Sequence, residues 1–198
     1  MKTKECPICN VRKPESEFRF KKRIYRECKE CKSLHGKKDS IKGTANEYLV
    51  LGALMYDYPN IMMSSSAQTA HDIIIHADTN KNYRIQVKTV QENNSLKLTG
   101  GGRAGSDGQY GVPGTTSKIY PYTSANCDLI IGVKNIDFGM FELYFVPALV
   151  LDAINQKSIS VNKIKFSKND YKIIDKCLNK KYAENYVRQI NSYSRKNL

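Results

Sequence analysis

Four cysteines carry the most specific chemistry in this chain. Cys6 and Cys9 form one Cys-x-x-Cys pair, Cys28 and Cys31 form a second, and 18 residues separate the two pairs. Each pair places two thiolates on one tight turn, and two such turns complete a closed tetrahedral sulfur cage for Zn²⁺. Two disulfides are the alternative, but they require an oxidising compartment, and the sequence has no secretory signal. The spacing therefore predicts a structural zinc site, with His35 as a less favoured substitute ligand.

A second set of residues could hold a divalent cation. Asp72 lies on one predicted strand, and Gln86 and Lys88 follow 14 and 16 residues later on the next. A hydrolytic phosphodiesterase needs oxygen ligands for a hard cation and a positive charge beside the attacking water. If these three side chains converge, Asp72 and Gln86 supply the oxygen ligands and Lys88 supplies the positive charge. A polar face that is only solvated is the alternative interpretation.

The elements that must position these residues are visible in the hydrophobic pattern. Residues 71–76 and 83–90 are two apolar strands joined by a turn, which predicts a hairpin. In the second strand Ile85 and Val87 share one face, while Arg84, Gln86 and Lys88 share the other. A short strand is predicted near residues 61–63, two core strands over 127–133 and 142–147, and a further short strand over 161–166.

Two helices are also predicted. Thr44 and Glu47 have the spacing of a capping box, so a helix is expected to start there and extend over 44–57. A second helix is expected to begin near Ser167 and lead into the basic stretch 180–196. Residues 33–42 are polar, contain Gly36 and show no apolar periodicity, which favours a linker.

The order of these residues resembles a known superfamily. Glu47, Asp72 and the run Gln86-Val87-Lys88 are similar to the PD-(D/E)xK nucleases, in the branch that has Gln in place of the usual acid. That superfamily includes restriction enzymes, Holliday-junction resolvases and some intron-encoded homing endonucleases. The resemblance spans residues 43–147. It departs from the usual motif twice, because His71 stands where proline is usual and Gln86 replaces an acid.

The resemblance implies roles for five groups. Asp72, the amide oxygen of Gln86 and the main-chain carbonyl of Val87 would bind catalytic Mg²⁺. Lys88 would orient the attacking water and stabilise charge on the phosphorane, and Glu47 would bind a water or a second ion. The loss of one carboxylate implies modest affinity for Mg²⁺.

The distribution of charge points to a polyanionic partner. The net charge is +13, and it is uneven: residues 1–42 carry 14 Lys/Arg and 6 Asp/Glu, residues 155–198 carry 11 and 3, and the residues between carry 7 and 10. Basic flanks around an acidic centre suit DNA binding, although solubility alone would explain the surplus of basic residues.

Residues 99–118 include seven glycines and no phosphate-loop motif. The predicted DNA contacts are Arg19, Lys21, Lys22, Arg23, Arg26, Arg103, Gln109 and Lys118.

These observations together predict an α/β fold. We expect a restriction-endonuclease-like mixed central sheet with flanking helices, preceded by a zinc ribbon. The expected domains are residues 1–35 (zinc ribbon), 36–42 (linker) and 43–198 (nuclease domain with a basic tail). The expected activity is Mg²⁺-dependent cleavage of double-stranded DNA at specific sites by a homodimer or higher oligomer in the cytoplasm, with no membrane partner. A resolvase acting on branched DNA and a non-catalytic DNA-binding protein are the alternatives.

Overall fold

The chain folds into two compact units, Met1–Ala45 and Asn46–Leu198. The structure is a computed structural model that describes residues 2–20, 23–64, 70–78, 81–101, 119–137 and 139–196. Among these residues no helix is both long and apolar enough to cross a bilayer.

The first unit consists of two small antiparallel ribbons, a single 3₁₀ turn and the first part of a long helix. The ribbons pair β1 with β2 and β3 with β4. The elements are β1 (Thr3–Glu5), β2 (Arg12–Pro14), the 3₁₀ turn Glu15–Phe18, β3 (Arg19–Phe20), β4 (Arg23–Ile24) and α1 (Lys29–Leu54). Phe18 and three cysteines form the buried cluster of this unit. Phe20, two residues later, lies outside this core, with 57% of its surface exposed.

Helix α1 begins earlier than the sequence predicts. Thr44 is an interior residue of α1 and not its N-cap, and residues 36–42, assigned to a linker, are helical. Residues 32–42 are exposed on every side, so no face of this stretch needs to be apolar. Apolar periodicity reports burial of one helix face, and its absence here misled the prediction.

The second unit is built on a five-stranded mixed sheet with the strand order β12-β11-β7-β6-β5. Helices flank this sheet, which confirms the predicted α/β class. The strands are β5 (Ile61–Met63), β6 (Ile73–Asp78), β7 (Lys81–Thr89), β8 (Ser95–Lys97), β9 (Thr99–Gly100), β10 (Tyr120–Pro121), β11 (Leu129–Asp137), β12 (Met140–Pro147) and β13 (Ser158–Ser160). The helices after α1 are α2 (Ala148–Ile154), a 3₁₀ segment Val161–Ser167, α3 (Ile173–Lys176) and α4 (Lys180–Lys196).

The centre of the sheet explains the apolar runs in the sequence. Strands β6 and β7 pair antiparallel, as the predicted hairpin requires, and β11 lies parallel to β7 on its other side. The first five residues of β11, from Leu129 to Val133, are all buried, which is typical of a strand covered on both faces. Helix α4 covers part of this core through Ala183, Tyr186 and Ile190, which recur at helical spacing.

The C-terminal region differs from the predicted pattern. Residues 161–166 belong to a 3₁₀ segment and not to a strand. The strand lies immediately before this segment, at Ser158–Ser160, and pairs with β8. The helix expected near Ser167 begins only at Ile173. Val161 and Ile164 of the 3₁₀ segment are buried, and the segment is kinked at Ile164, whose backbone angles are not helical.

Candidate functional site

The four cysteines predicted to bind zinc lie together. Their Sγ atoms are all within 4.8 Å of one another, and three of the four residues are buried. The first turn is closed by the Asn10 N–H, which donates to the Cys6 carbonyl over 2.8 Å. The Cys28 N–H donates to Cys6 Sγ over 3.3 Å and joins the second turn to the first. Tetrahedral Zn–S bonds of about 2.3 Å require S···S distances of about 3.8 Å, so the cluster fits a structural zinc ion.

The electrostatics of the cluster favour a bound cation. Burial raises the pKa of Cys6, but backbone N–H groups of Cys28, Cys9 and Ile8 outweigh it and lower the pKa to about 6. Burial and the neighbouring thiols raise the pKa of Cys31 to about 12. Backbone N–H groups thus stabilise the thiolate form of Cys6, which is the form that binds zinc. His35, the substitute ligand, instead contacts Glu27 through Nδ1 at 2.8 Å.

Three of the predicted DNA-contacting residues lie exposed on the first unit. Arg19 and Arg23 belong to the β3–β4 ribbon and Arg26 follows it. Arg19 is also within 3.1 Å of Glu15. Lys21, Lys22, Arg103, Gln109 and Lys118 lie outside the described residues.

In the second unit the structure brings Asp72 and Gln86 into contact. The register of the hairpin pairs Ile73 with Ile85, so Asp72 faces Gln86 one step further along. The side-chain amide of Gln86 donates to Asp72 Oδ2. The same carboxylate oxygen accepts the Val87 N–H over 2.8 Å.

The amide of Gln86 is the centre of this arrangement. Its Nε2 also donates to the main-chain carbonyl of Val87 over 3.1 Å, so one amide group touches two oxygen atoms. A half-turn of the amide exchanges Nε2 with Oε1 and directs an oxygen to the same place. Asp72, Gln86 and Val87 then present three oxygens, the ligand type that Mg²⁺ prefers. The residues present therefore fit a hard divalent cation.

Burial makes the negative charge of Asp72 costly without a cation. Gln86 is 4% exposed and Val87 5%, and Asp72 beside them is half-buried. Burial raises the pKa of Asp72 above its ordinary value, although the Val87 N–H and the charges of Lys88 and His71 oppose it. A bound cation would compensate for this desolvation.

Lys88 follows this group on β7, and Glu47 lies on a turn of α1 that is anchored to the end of β7. Lys88 is two residues after Gln86 on the same face of β7, and its Nζ lies 5.0 Å from the centroid of the Tyr122 ring. Glu47 is half-buried on α1. The residue before it, Asn46, donates from Nδ2 to Thr89 Oγ1 over 2.8 Å and so fixes this turn of α1 against the end of β7.

An ion pair that the sequence did not predict fixes the start of β7. The Arg84 guanidinium donates to both oxygens of Asp128, at 3.1 Å from Nε and 2.8 Å from one terminal nitrogen. It also donates to the carbonyls of Ser124 and Ala125, each over 2.9 Å. Asp128 precedes β11, so the pair ties the entry of one central strand to the entry of its parallel neighbour. No local motif marks two residues 44 positions apart as partners.

Comparison with known proteins gives one similar structure. No protein-family model matches the chain, and no curated protein matches it. A solved structure of a bacterial homing endonuclease, I-Ssp6803I, is similar in fold, with 15% sequence identity and a TM-score of 0.43. The similar region covers 61% of this chain and 75% of that one.

Proposed function

We propose that this protein is a Mg²⁺-dependent DNA endonuclease that hydrolyses phosphodiester bonds at specific sites. The observation that carries the proposal is the contact of the Gln86 amide with both Asp72 Oδ2 and the Val87 carbonyl, beside Lys88. An amide, a carboxylate and a carbonyl around one point are suited to a hard cation. A merely solvated polar face would not bury Gln86.

Each residue has a distinct task in the proposed reaction. Asp72, Gln86 and the Val87 carbonyl hold the ion, which when bound supplies Lewis-acid stabilisation of the phosphate. Lys88 places its ammonium beside the attacking water and stabilises the charge that develops on the phosphorane. Glu47 lies on the helix turn anchored at Thr89, from which it would position a water at the site.

The partner that fits the charge distribution is DNA. The basic residues at both ends of the chain are suited to phosphate contacts, which hold a protein on DNA without reading its sequence. Within the first unit, Arg19, Arg23 and Arg26 are exposed and available for this role. Cleavage of both strands by one active site per chain calls for two copies, so we propose that the active form is at least a dimer.

The proposal is tested by cleavage of supercoiled plasmid across a Mg²⁺ titration. Wild-type protein should produce discrete fragments, whereas Lys88→Ala should bind DNA with unchanged affinity and cleave at least about 100-fold more slowly. Lys97→Ala is the matched control, because Lys97 is also a strand lysine but is exposed on β8. The control should cleave at the wild-type rate.

Either of two outcomes would contradict the proposal and indicate a different function. Affinity for DNA without cleavage at any Mg²⁺ concentration would show a non-catalytic DNA-binding protein. Selective cleavage of four-way junctions, with plasmid left intact, would show a junction resolvase. Mapping of the product ends distinguishes a site-specific enzyme from both.

A further inference from the structure

Lys88 has a neighbour that no motif in the sequence identifies. Its ammonium lies 5.0 Å from the centroid of the Tyr122 ring, within the distance at which a cation is attracted to an aromatic face. Tyr122 is 4% exposed and Lys88 is half-buried, so the ring side of the contact is sheltered from water. Attraction between a cation and a ring is stronger when both are desolvated.

The position of the Tyr122 ring is itself determined by the backbone. The Tyr122 N–H donates to the Leu98 carbonyl over 3.0 Å, directly beyond the pairing of β9 with β10. The ring of Tyr120 meets that of Tyr122 edge-on, with centroids 5.7 Å apart and planes at 80°.

Gly100 allows Tyr120 to take this place. A Cβ atom at Gly100 would lie 2.6 Å from the Tyr120 Cζ and Oη atoms, so a larger residue at this position would displace the Tyr120 ring. Gly100, Tyr120, Tyr122 and Lys88 thus form a continuous series of contacts that ends at the cation site.

From these contacts we infer that Tyr122 is a positioning residue that holds the Lys88 ammonium for cleavage, an inference that rests on the proposed nuclease function. A lysine side chain has four rotatable bonds, and fixing its ammonium requires a partner. A ring face carries no net charge, so it restrains the ammonium without removing its positive charge.

The test uses the full-length protein and single-turnover cleavage at saturating DNA and Mg²⁺. Tyr122→Phe keeps the ring and should cleave within about twofold of wild type, whereas Tyr122→Leu should be at least about fivefold slower. Affinity for DNA should stay unchanged in both, so the effect should fall on the rate of the chemical step. The matched control is Tyr83→Leu, because Tyr83 is also buried and has the ammonium of Lys81 at 5.1 Å from its ring.

A second series keeps the volume of the ring and changes only its charge distribution. Phenylalanines with increasing fluorination, incorporated in place of Tyr122, progressively weaken attraction to a cation. The cleavage rate should fall stepwise along this series. Independently of activity, the Lys88 Hε resonances in protein labelled with ¹³C-lysine should carry a ring-current shift that Tyr122→Leu abolishes and Tyr83→Leu preserves.

The outcomes separate this inference from the function on which it rests. If the protein cleaves but the rate does not change with fluorination, the role of Tyr122 is overturned and the nuclease function is not. The same holds if Tyr122→Leu leaves the Lys88 resonances unchanged. Equal loss of rate in Tyr122→Leu and Tyr83→Leu also overturns the role of Tyr122. An absence of cleavage in the wild-type protein overturns the proposed function itself.

Discussion

The unit Met1–Ala45 buries one phenylalanine and three cysteines, whereas the unit Asn46–Leu198 buries a continuous apolar core on its five-stranded sheet. A core of that first size does not stabilise a fold alone, and zinc contributes on the order of 10 kcal/mol to modules of this kind. The second unit has a core of the size that folds without an ion. We therefore propose that metal binding has two separate consequences in one chain: stability in the first unit and reactivity in the second.

Removal of a zinc ligand should have the largest effect, and this effect should be confined to the first unit. In Cys28→Ser the cage loses one of its four thiolates, so we expect amides in residues 2–42 to lose protection from hydrogen exchange. Amides of the central strands β7 and β11 should remain protected. Mass spectrometry of exchanged peptides measures both in one experiment.

The control for this prediction is Cys177→Ala, which removes a buried thiol of the second unit. It should leave exchange in the first unit unchanged. Wild-type protection of residues 2–42 in the presence of a strong zinc chelator would contradict the proposed role of the metal.

Loss of a proposed Mg²⁺ ligand should reduce activity and spare the fold. We expect Asp72→Asn to slow cleavage by about 10²–10³-fold. Because burial raises the pKa of Asp72, ionisation of this carboxyl costs stability as the pH rises above the ordinary range of aspartate. Asparagine removes that cost, so stability in the absence of Mg²⁺ at pH 7 should be unchanged or higher.

Urea unfolding and single-turnover cleavage check this prediction together. Mg²⁺ should raise the unfolding midpoint of the wild-type second unit and not that of Asp72→Asn. Asp57→Asn, at an exposed position, is the control and should respond to Mg²⁺ as wild type does. A normal response to Mg²⁺ in Asp72→Asn would rule out this residue as a ligand.

Removal of the ion pair at the start of β7 should destabilise the second unit without involving any metal. Arg84→Met leaves Asp128, whose side chain is 8% exposed, without its partner. Breaking such a pair costs about 3 kcal/mol, measurable as a lower free energy of unfolding in urea. The double variant Arg84→Met/Asp128→Leu should regain part of the loss, because it also removes the buried charge. Equal instability of the single and double variants would contradict this account.

The smallest predicted effect depends on pH. The Tyr144 hydroxyl, 2.7 Å from Glu142, and the Lys168 ammonium, at 3.0 Å, lower the pKa of Glu142. A lowered pKa in the folded state stabilises the protein above the ordinary pKa of glutamate and loses this contribution as the pH falls. Glu142→Gln should therefore cost about 1 kcal/mol at pH 7 and progressively less as the pH falls below about 4.

Thermal unfolding across this pH range measures the effect. Glu92→Gln, at an exposed position, should show no such pH dependence. A constant cost of Glu142→Gln at every pH would show that its charge is not the cause.

Local patterns in the sequence predicted the parts of the fold that local pairing determines. The spacing of the cysteines predicted their cluster, and alternation in residues 83–90 predicted the hairpin that brings Asp72 to Gln86. The burial of Gln86 could not be predicted, because it requires β7 to lie inside the sheet, where β11 pairs beside Gln86 from 44 positions away. Tyr122 carries no motif, and its contact with Lys88 depends on the pairing of β9 with β10. The early start of α1 was missed because an exposed helix has no apolar period.

The parallel pairing of β7 with β11 also determines the order in which the second unit folds. The β6–β7 hairpin closes between neighbouring strands, whereas the Ile85–Leu129 pair joins residues 44 positions apart. Hairpins form in about 1–10 μs, and closure of a longer loop before parallel pairing is slower. We expect Asp72 and Gln86 to meet early and β11 to dock in the rate-limiting step. Residues proposed to hold the cation would then assemble before the sheet is complete, so Mg²⁺ present during refolding would have access to them before β11 docks.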